Sequence, residues 1–323
     1  GDKQVVKFLI RRLVVSIPTL LGISLVIFMI LALAPGDPMS QFAKDPNVPY
    51  EVRENIKKSL GLDQPWTTRY FKWATNMLLG DWGDSFSSRI PVWNLILQRL
   101  PNTLWVVGLA YAIAIPLAII VGAISAAKQY SLFDQTATAF AFIGFSIPTF
   151  FTSVVLIILF SVKLHWLPFI YDSTVRITNL ETLFTQIKQI AMPITVLTIF
   201  NTGALVRFVR ASVLDNISQD YVRTARAKGL SEKAVIIRHV LRNSLIPVVT
   251  LVALSLPNVF AGAIVTEQIF RVPGIGDLLI NSIQKSDTPV VMGITFTYSI
   301  LVVLSNIFAD AIYSLLDPRI RLQ

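Results

Sequence analysis

The sequence predicts an all-α membrane protein with six transmembrane helices, and three observations carry that prediction. Of the 323 residues, 54% are hydrophobic and only 15% are charged, where a soluble domain holds about 25% charged residues. Near-continuous apolar runs recur at 9–34, 104–127, 137–164, 190–209, 245–265 and 290–316. Each has about 20 residues or more and can cross a hydrocarbon core of about 30 Å. None alternates in polarity, as the roughly ten-residue strands of a membrane barrel do, so their backbone hydrogen bonds must close within helices.

The first span follows Lys3, Lys7, Arg11 and Arg12, and no small-residue cleavage site succeeds it, so it reads as a retained helix rather than a signal peptide. The stretch 35–99 reads as a small external subdomain, with a turn at 35–38 and helices near 50–60 and 66–79. Tyr70, Trp73, Met77 and Gly80 share one face of the second helix, which is therefore expected to be amphipathic and to lie on the membrane surface or under a partner. Residues 100–316 form a five-helix core, and 317–323 a short tail. Within that core, 166–189 places Leu180, Leu183, Phe184 and Ile187 at i, i+3, i+4, i+7 and reads as an interfacial helix. Pro18, Pro116, Pro148, Pro193 and Pro257 lie in the spans. Each removes one backbone hydrogen bond and permits a kink, which suits moving helices and is also common in membrane spans generally.

Charge sets the expected orientation. Both termini, the 128–134 turn and the 207–242 segment fall on one side of a six-span chain, and together they hold 15 of the 28 Lys and Arg residues against six acids. The positive-inside rule puts that side, and both termini, in the cytoplasm. Trp66, Trp73, Trp82, Trp93, Trp105 and Trp166 all fall on the other side, where indoles anchor at headgroup depth.

The segment 211–243 separates the fourth and fifth spans. Within it, Ser218 is positioned to cap a helix over 219–228, Gly229 to end it in a left-handed turn, and Ser231 to cap a second helix running into the fifth span. The short helix carries Arg223, Arg226 and Lys228, with Ala225 and Ala227 small enough for another surface to approach. Three readings compete: a basic helix on anionic lipid, a nucleic-acid reader, which attachment to a membrane span disfavours, and a lever for a cytoplasmic partner, which depends on resemblance rather than on residue chemistry.

The run YVRTARAKGLS at 221–231 resembles the EAA loop of inner-membrane permeases of ATP-binding-cassette importers, in the form found in the dipeptide, oligopeptide and nickel branch. Arg223, Thr224 and Ala225 stand where the general pattern has Glu-Ala-Ala, six residues before the glycine at 229. Further matches cover nearly the whole chain in order: LAPGDP at 33–38, GLDQPW at 61–66, GDWGDSF at 80–86, RLPNTL at 99–104, VPGIGDLLINSI at 272–283 and LLDPRIR at 315–321. They are similar to the B-type permease of that branch.

The resemblance implies a type I importer (MetI-like) fold and one half of a translocation pathway in a bacterial or archaeal cell membrane. It further implies a homologous C-type permease, two cytoplasmic ATPases carrying ATP and Mg, an extracytoplasmic solute-binding protein and a peptide substrate. On this reading Tyr221, Arg223, Ala225, Arg226, Ala227, Lys228, Gly229 and Leu230 contact the ATPases. The 35–99 subdomain, with Trp66, Trp73 and Trp82, docks the binding protein.

No glycine is followed by lysine, so there is no P-loop, and neither H-E-x-x-H nor G-x-S-x-G occurs. The chain is therefore expected to be neither an ATPase nor a hydrolase, and to hold no cofactor or metal of its own; it has no cysteine and only two histidines. Asp81 and Asp84 lack the remaining ligands of a calcium loop and read as a glycine-aspartate turn. The polar residues of the spans include Asn201, Asn258, Glu267, Asn306 and Asp310. Intramembrane acids are costly, which makes Asn258, Glu267 and Asp310 candidates for lining the pathway. Asp310 or Glu267 also leaves open a proton-coupled secondary transporter, although Asp310, two turns from the inner end of its span, reads equally as the structural partner of a neighbouring base or as an acid that reaches water. A nickel or other small-solute permease, and a non-transporting scaffold or receptor, are further alternatives.

Overall fold

The computed structural model describes residues 2–33, 49–59 and 61–316; the described side chains exclude 2–9, 256–262 and 312–316. The turn at 35–38, the LLDPRIR motif and the 317–323 tail thus lie wholly or largely outside the described residues. The chain divides into two compact units, 1–101 with 277–304 and 102–276 with 305–323. Apart from one isolated bridge between Asp84 and Pro91, the regular structure among the described residues is helical.

The first unit contains α1 (Asp2–Leu33), α2 (Tyr50–Ser59) and α3 (Trp66–Leu78), with the start of α4 (Val92–Ala127), most of α11 (Ile275–Gln284) and the first half of α12 (Thr288–Leu316). The expected apolar face of α3 exists, but it covers the chain's own helices. Tyr70 is buried with Phe28 of α1 and Met292 of α12, and Trp73 packs on the same cluster. The Tyr70 hydroxyl keeps a hydrogen-bond partner there, Ser24 Oγ at 2.9 Å, which removes the penalty of burying it. The expectation that this face meets lipid or a partner is thereby corrected. Arg69 crosses the Phe28 ring at 5.8 Å, and partial burial lowers its pKa. A flank of α3 leaves Phe71 and Leu78 exposed.

Asp81 Oδ1 accepts the Gly83 N–H at 2.9 Å, closing a local turn in GDWGDSF. The rest of that loop is held by Asp287, 1% exposed. Its carboxylate accepts from Ser85 Oγ at 2.5 Å, Ser87 Oγ at 2.7 Å, Phe86 N at 2.9 Å and Ser87 N at 3.1 Å. Four donors on one carboxylate fix the loop against the chain just before α12.

The second unit holds the rest of α4, then α5 (Leu132–Ser146), α6 (Thr149–Leu156) with a π-helical continuation (Ile157–Lys163), and α7 (Leu180–Ile217). It continues with α8 (Asp220–Ala227), α9 (Glu232–Ala234), a π-helical stretch (Val235–Val240) and α10 (Leu241–Phe270). Among the described residues, five helices are long and apolar enough to cross a membrane unbroken. The third expected span is instead a pair, 132–146 and 149–163, bent by 100°. Its cause is local. Pro148 keeps Ile147 extended at ψ 126°, as the residue before a proline prefers, and Pro148 then opens α6. Pro18 and Pro193, by contrast, sit inside continuous helices.

The expected interfacial helix at 180–187 proves to be the first turns of α7. Asn179 caps it through the Thr182 N–H at 2.9 Å, and the helix runs on unbroken to Ile217. α7 lies against α5 at Gly203, where an added Cβ would come within 2.5 Å of the Ala141 carbonyl oxygen. Close approach through a small residue is a standard source of cohesion between membrane helices.

Candidate functional site

The helix-turn-helix of 211–243 forms, shifted by one residue. Gln219 rather than Ser218 precedes the first turn of α8, and Ser218 instead closes α7. Gly229 takes φ +78°, a value that glycine adopts without a Cβ penalty. Ser231 caps α9 through the Ala234 N–H at 3.4 Å.

α8 is seated by two side chains. Val222 is 0% and Ala225 4% exposed, and both join an apolar cluster with Ala126 of α4, Val209 and Val213 of α7, and Val235 and Val240 of the π-helical stretch. Ala225 thus faces the protein's own helices, not an outside surface. Tyr221, Arg223, Arg226, Ala227, Lys228, Gly229 and Leu230 are exposed. Arg226 is braced by Glu232, with Nε to Oε1 at 2.6 Å, and the Tyr221 hydroxyl donates to Asn216 Oδ1 at 3.0 Å. The result is a firmly footed helix with a basic outer face.

Of the intramembrane candidates, Glu267 is 0% exposed at the end of α10. Its carboxylate accepts from Thr103 Oγ1 at 2.6 Å and from Gly276 N at 2.8 Å, and Thr103 Oγ1 in turn accepts from Ile275 N at 2.8 Å. A Cβ at Gly274 would lie 2.3 Å from that carboxyl group. Glu267 therefore anchors the VPGIG turn from within, with its side chain enclosed by its own chain. Asp310 is half-buried and Asn306 exposed, while the Asn258 side chain lies outside the described residues. Asn201 lines a cavity of about 300 Å³ with Tyr111, Phe145, Phe200 and Ser255. In the 61–99 stretch, Trp66 is exposed, but Trp73 and Trp82 are half-buried and both pack on Phe296.

Residues 114–322 match the family described as binding-protein-dependent transport system inner membrane component, and 5–107 match the N-terminal family of the same membrane components. The chain belongs to this family of inner-membrane transport components. Similar relatives include the oligopeptide transport system permease protein AppB of Bacillus subtilis, 41% identical over 97% of this chain and 98% of the relative. The dipeptide transport system permease protein DppB of Escherichia coli K12 is 36% identical over 98% of both chains. A putative peptide transport system permease protein of Brucella abortus is 37% identical over 97% of this chain and 98% of the relative.

One feature of this family member escaped the sequence reading. Asp134, 3% exposed, receives Arg210 as a two-pronged partner, Nε to Oδ1 at 2.7 Å and Nη2 to Oδ2 at 2.8 Å. Ser125 Oγ, Tyr130 N at 2.9 Å and Thr138 Oγ1 at 3.3 Å complete its donors. The only sequence hint was an aspartate three residues after Ser131, the cap of α5, and that pattern alone says nothing of a partner 76 residues away.

Proposed function

We propose that the chain is one permease half of an ATP-driven, binding-protein-dependent importer of oligopeptides or dipeptides. One observation carries the mechanism: α8 is fixed from beneath by Val222 and Ala225, and it and the turn after it offer Tyr221, Arg223, Lys228, Gly229 and Leu230 outward, as a lever must. Two cytoplasmic ATPases bind this face and hold ATP and Mg. A homologous C-type permease completes the pathway, and an extracytoplasmic solute-binding protein delivers the peptide. The substrate class is taken from the printed names of relatives aligned over the whole chain. The charge balance of the loops supports cytoplasmic termini.

Closure of the ATPases displaces α8 and turns the helices above it toward the outside; hydrolysis returns them. Trp66 and the exposed Phe71 and Leu78 of α3 offer the outer face for the binding protein, with Trp73 and Trp82 supporting them. Asp310 and Asn258 remain candidates for the pathway.

Reconstitution into vesicles tests this directly. ATP-dependent peptide uptake is expected only with the second permease, the ATPases and the binding protein present. Uptake by this chain alone on a pH gradient would establish the proton-coupled reading instead, and uptake of nickel in place of peptide would reassign the substrate.

A further inference from the structure

We propose that Asp134 and Arg210 are positioning residues that make α8 and the adjoining ends of α4, α5 and α7 move as one body. The inference rests on α8 being the ATPase contact. α8 touches its footing through Val209 and Val213 of α7 and Ala126 of α4. The neighbours of two of these in the chain, Arg210 and Ser125, are donors to the Asp134 carboxylate. A push on α8 therefore arrives at residues whose immediate neighbours hold the first turn of α5.

The geometry makes that hold stiff. A two-pronged guanidinium–carboxylate pair fixes direction as well as distance, and Asp134 is also locked to its own turn by the Tyr130 N–H at 2.9 Å. Asp134 lies in the first turn of α5 and its N–H is bound by the Ser131 cap at 3.2 Å, so the helix end cannot pivot away from its carboxylate. Buried pairs contribute little net stability compared with well-packed apolar side chains. Five donors on one carboxylate make sense as a device for keeping register. Without the pair, α5 would be tied to α7 mainly by apolar contact, which permits sliding.

The absence of cysteine allows a direct test in the full complex. Nitroxide labels are placed at Thr224→Cys on α8 and Thr136→Cys on α5, both exposed, and their separation is measured nucleotide-free and trapped with ADP and vanadate. The distance is expected to be the same in both states. With Asp134→Asn added it shifts between states, and peptide uptake per ATP hydrolysed falls about tenfold, the size of a typical coupling free energy between sites. The neutral double variant Asp134→Asn with Arg210→Gln leaves no lone buried charge. It regains melting temperature but not uptake per ATP.

A pair that only stabilises gives another pattern, with uptake per ATP following melting temperature through both variants. That pattern overturns the inference, as does a distance that changes between states in the unaltered pair. Failure of the transport reading itself is distinguishable, because the unaltered complex then takes up no peptide on ATP addition, and the inference falls with it.

Discussion

Glu267, in the last turn of α10, has two glycines, Gly274 and Gly276, folded over its carboxylate. Gly274→Ala would press a methyl group into a carboxyl group 2.3 Å away that hydrogen bonds to Thr103 and Gly276 hold in place. Overpacking of this kind costs about 1–3 kcal/mol, so the melting temperature of the detergent-solubilised complex should fall. Glu267→Gln swaps one acceptor for a donor facing existing donors and should cost about 1–3 kcal/mol by leaving a buried group unmatched. If either variant melted like the parent while abolishing uptake, Glu267 would be a pathway residue after all. The sequence showed an acid in an apolar run and correctly marked it as costly. It could not show what satisfies the acid, because Thr103 lies 164 positions away and nothing local encodes that pairing. Asp134 and Asp287 were illegible for the same reason.

At the scale of elements, short-range chemistry was readable where the relevant residues are neighbours. The Gly229 turn and the Ser231 cap formed where the residue pattern put them, and the start of α8 moved by one position only. Gly229→Pro should abolish ATP hydrolysis stimulated by the binding protein while the spans stay inserted, since proline is confined to φ near −65° and this position needs +78°. Unchanged stimulation in purified complex would remove α8 from the coupling role. Where the reading failed, a helix met competing instructions. The stretch 180–189 is amphipathic enough to lie flat, yet its cap at Asn179 starts a helix with no stop signal before the fourth span, so the two became one. In α3 the apolar face was legible, but what covers it was not.

For the whole molecule, the five unbroken spans among the described residues follow from composition, because a bilayer imposes a minimum length on any crossing helix, whereas the third segment, a pair bent by 100°, does not. Orientation follows from charge alone and is open to a direct check. Single cysteines in this cysteine-free chain should react with a membrane-impermeant maleimide only from the cytoplasmic side at Thr224→Cys, and only from the outer side at Ser173→Cys. Labelling of both from one side would overturn the six-span topology.

The 100° bend at Ile147 and Pro148 also bears on how the chain is made. α5 has 15 residues and spans about 22 Å, and the arm from 149 to 163 is no longer in residues. Neither bridges a hydrocarbon core of about 30 Å by itself, and carbonyls freed at the bend find no donor in lipid. α7, whose Gly203 lies against the last turns of α5, and α10, which packs on α6, cover the two arms. The bend is therefore expected to form only when α7 and α10 are both in place beside it.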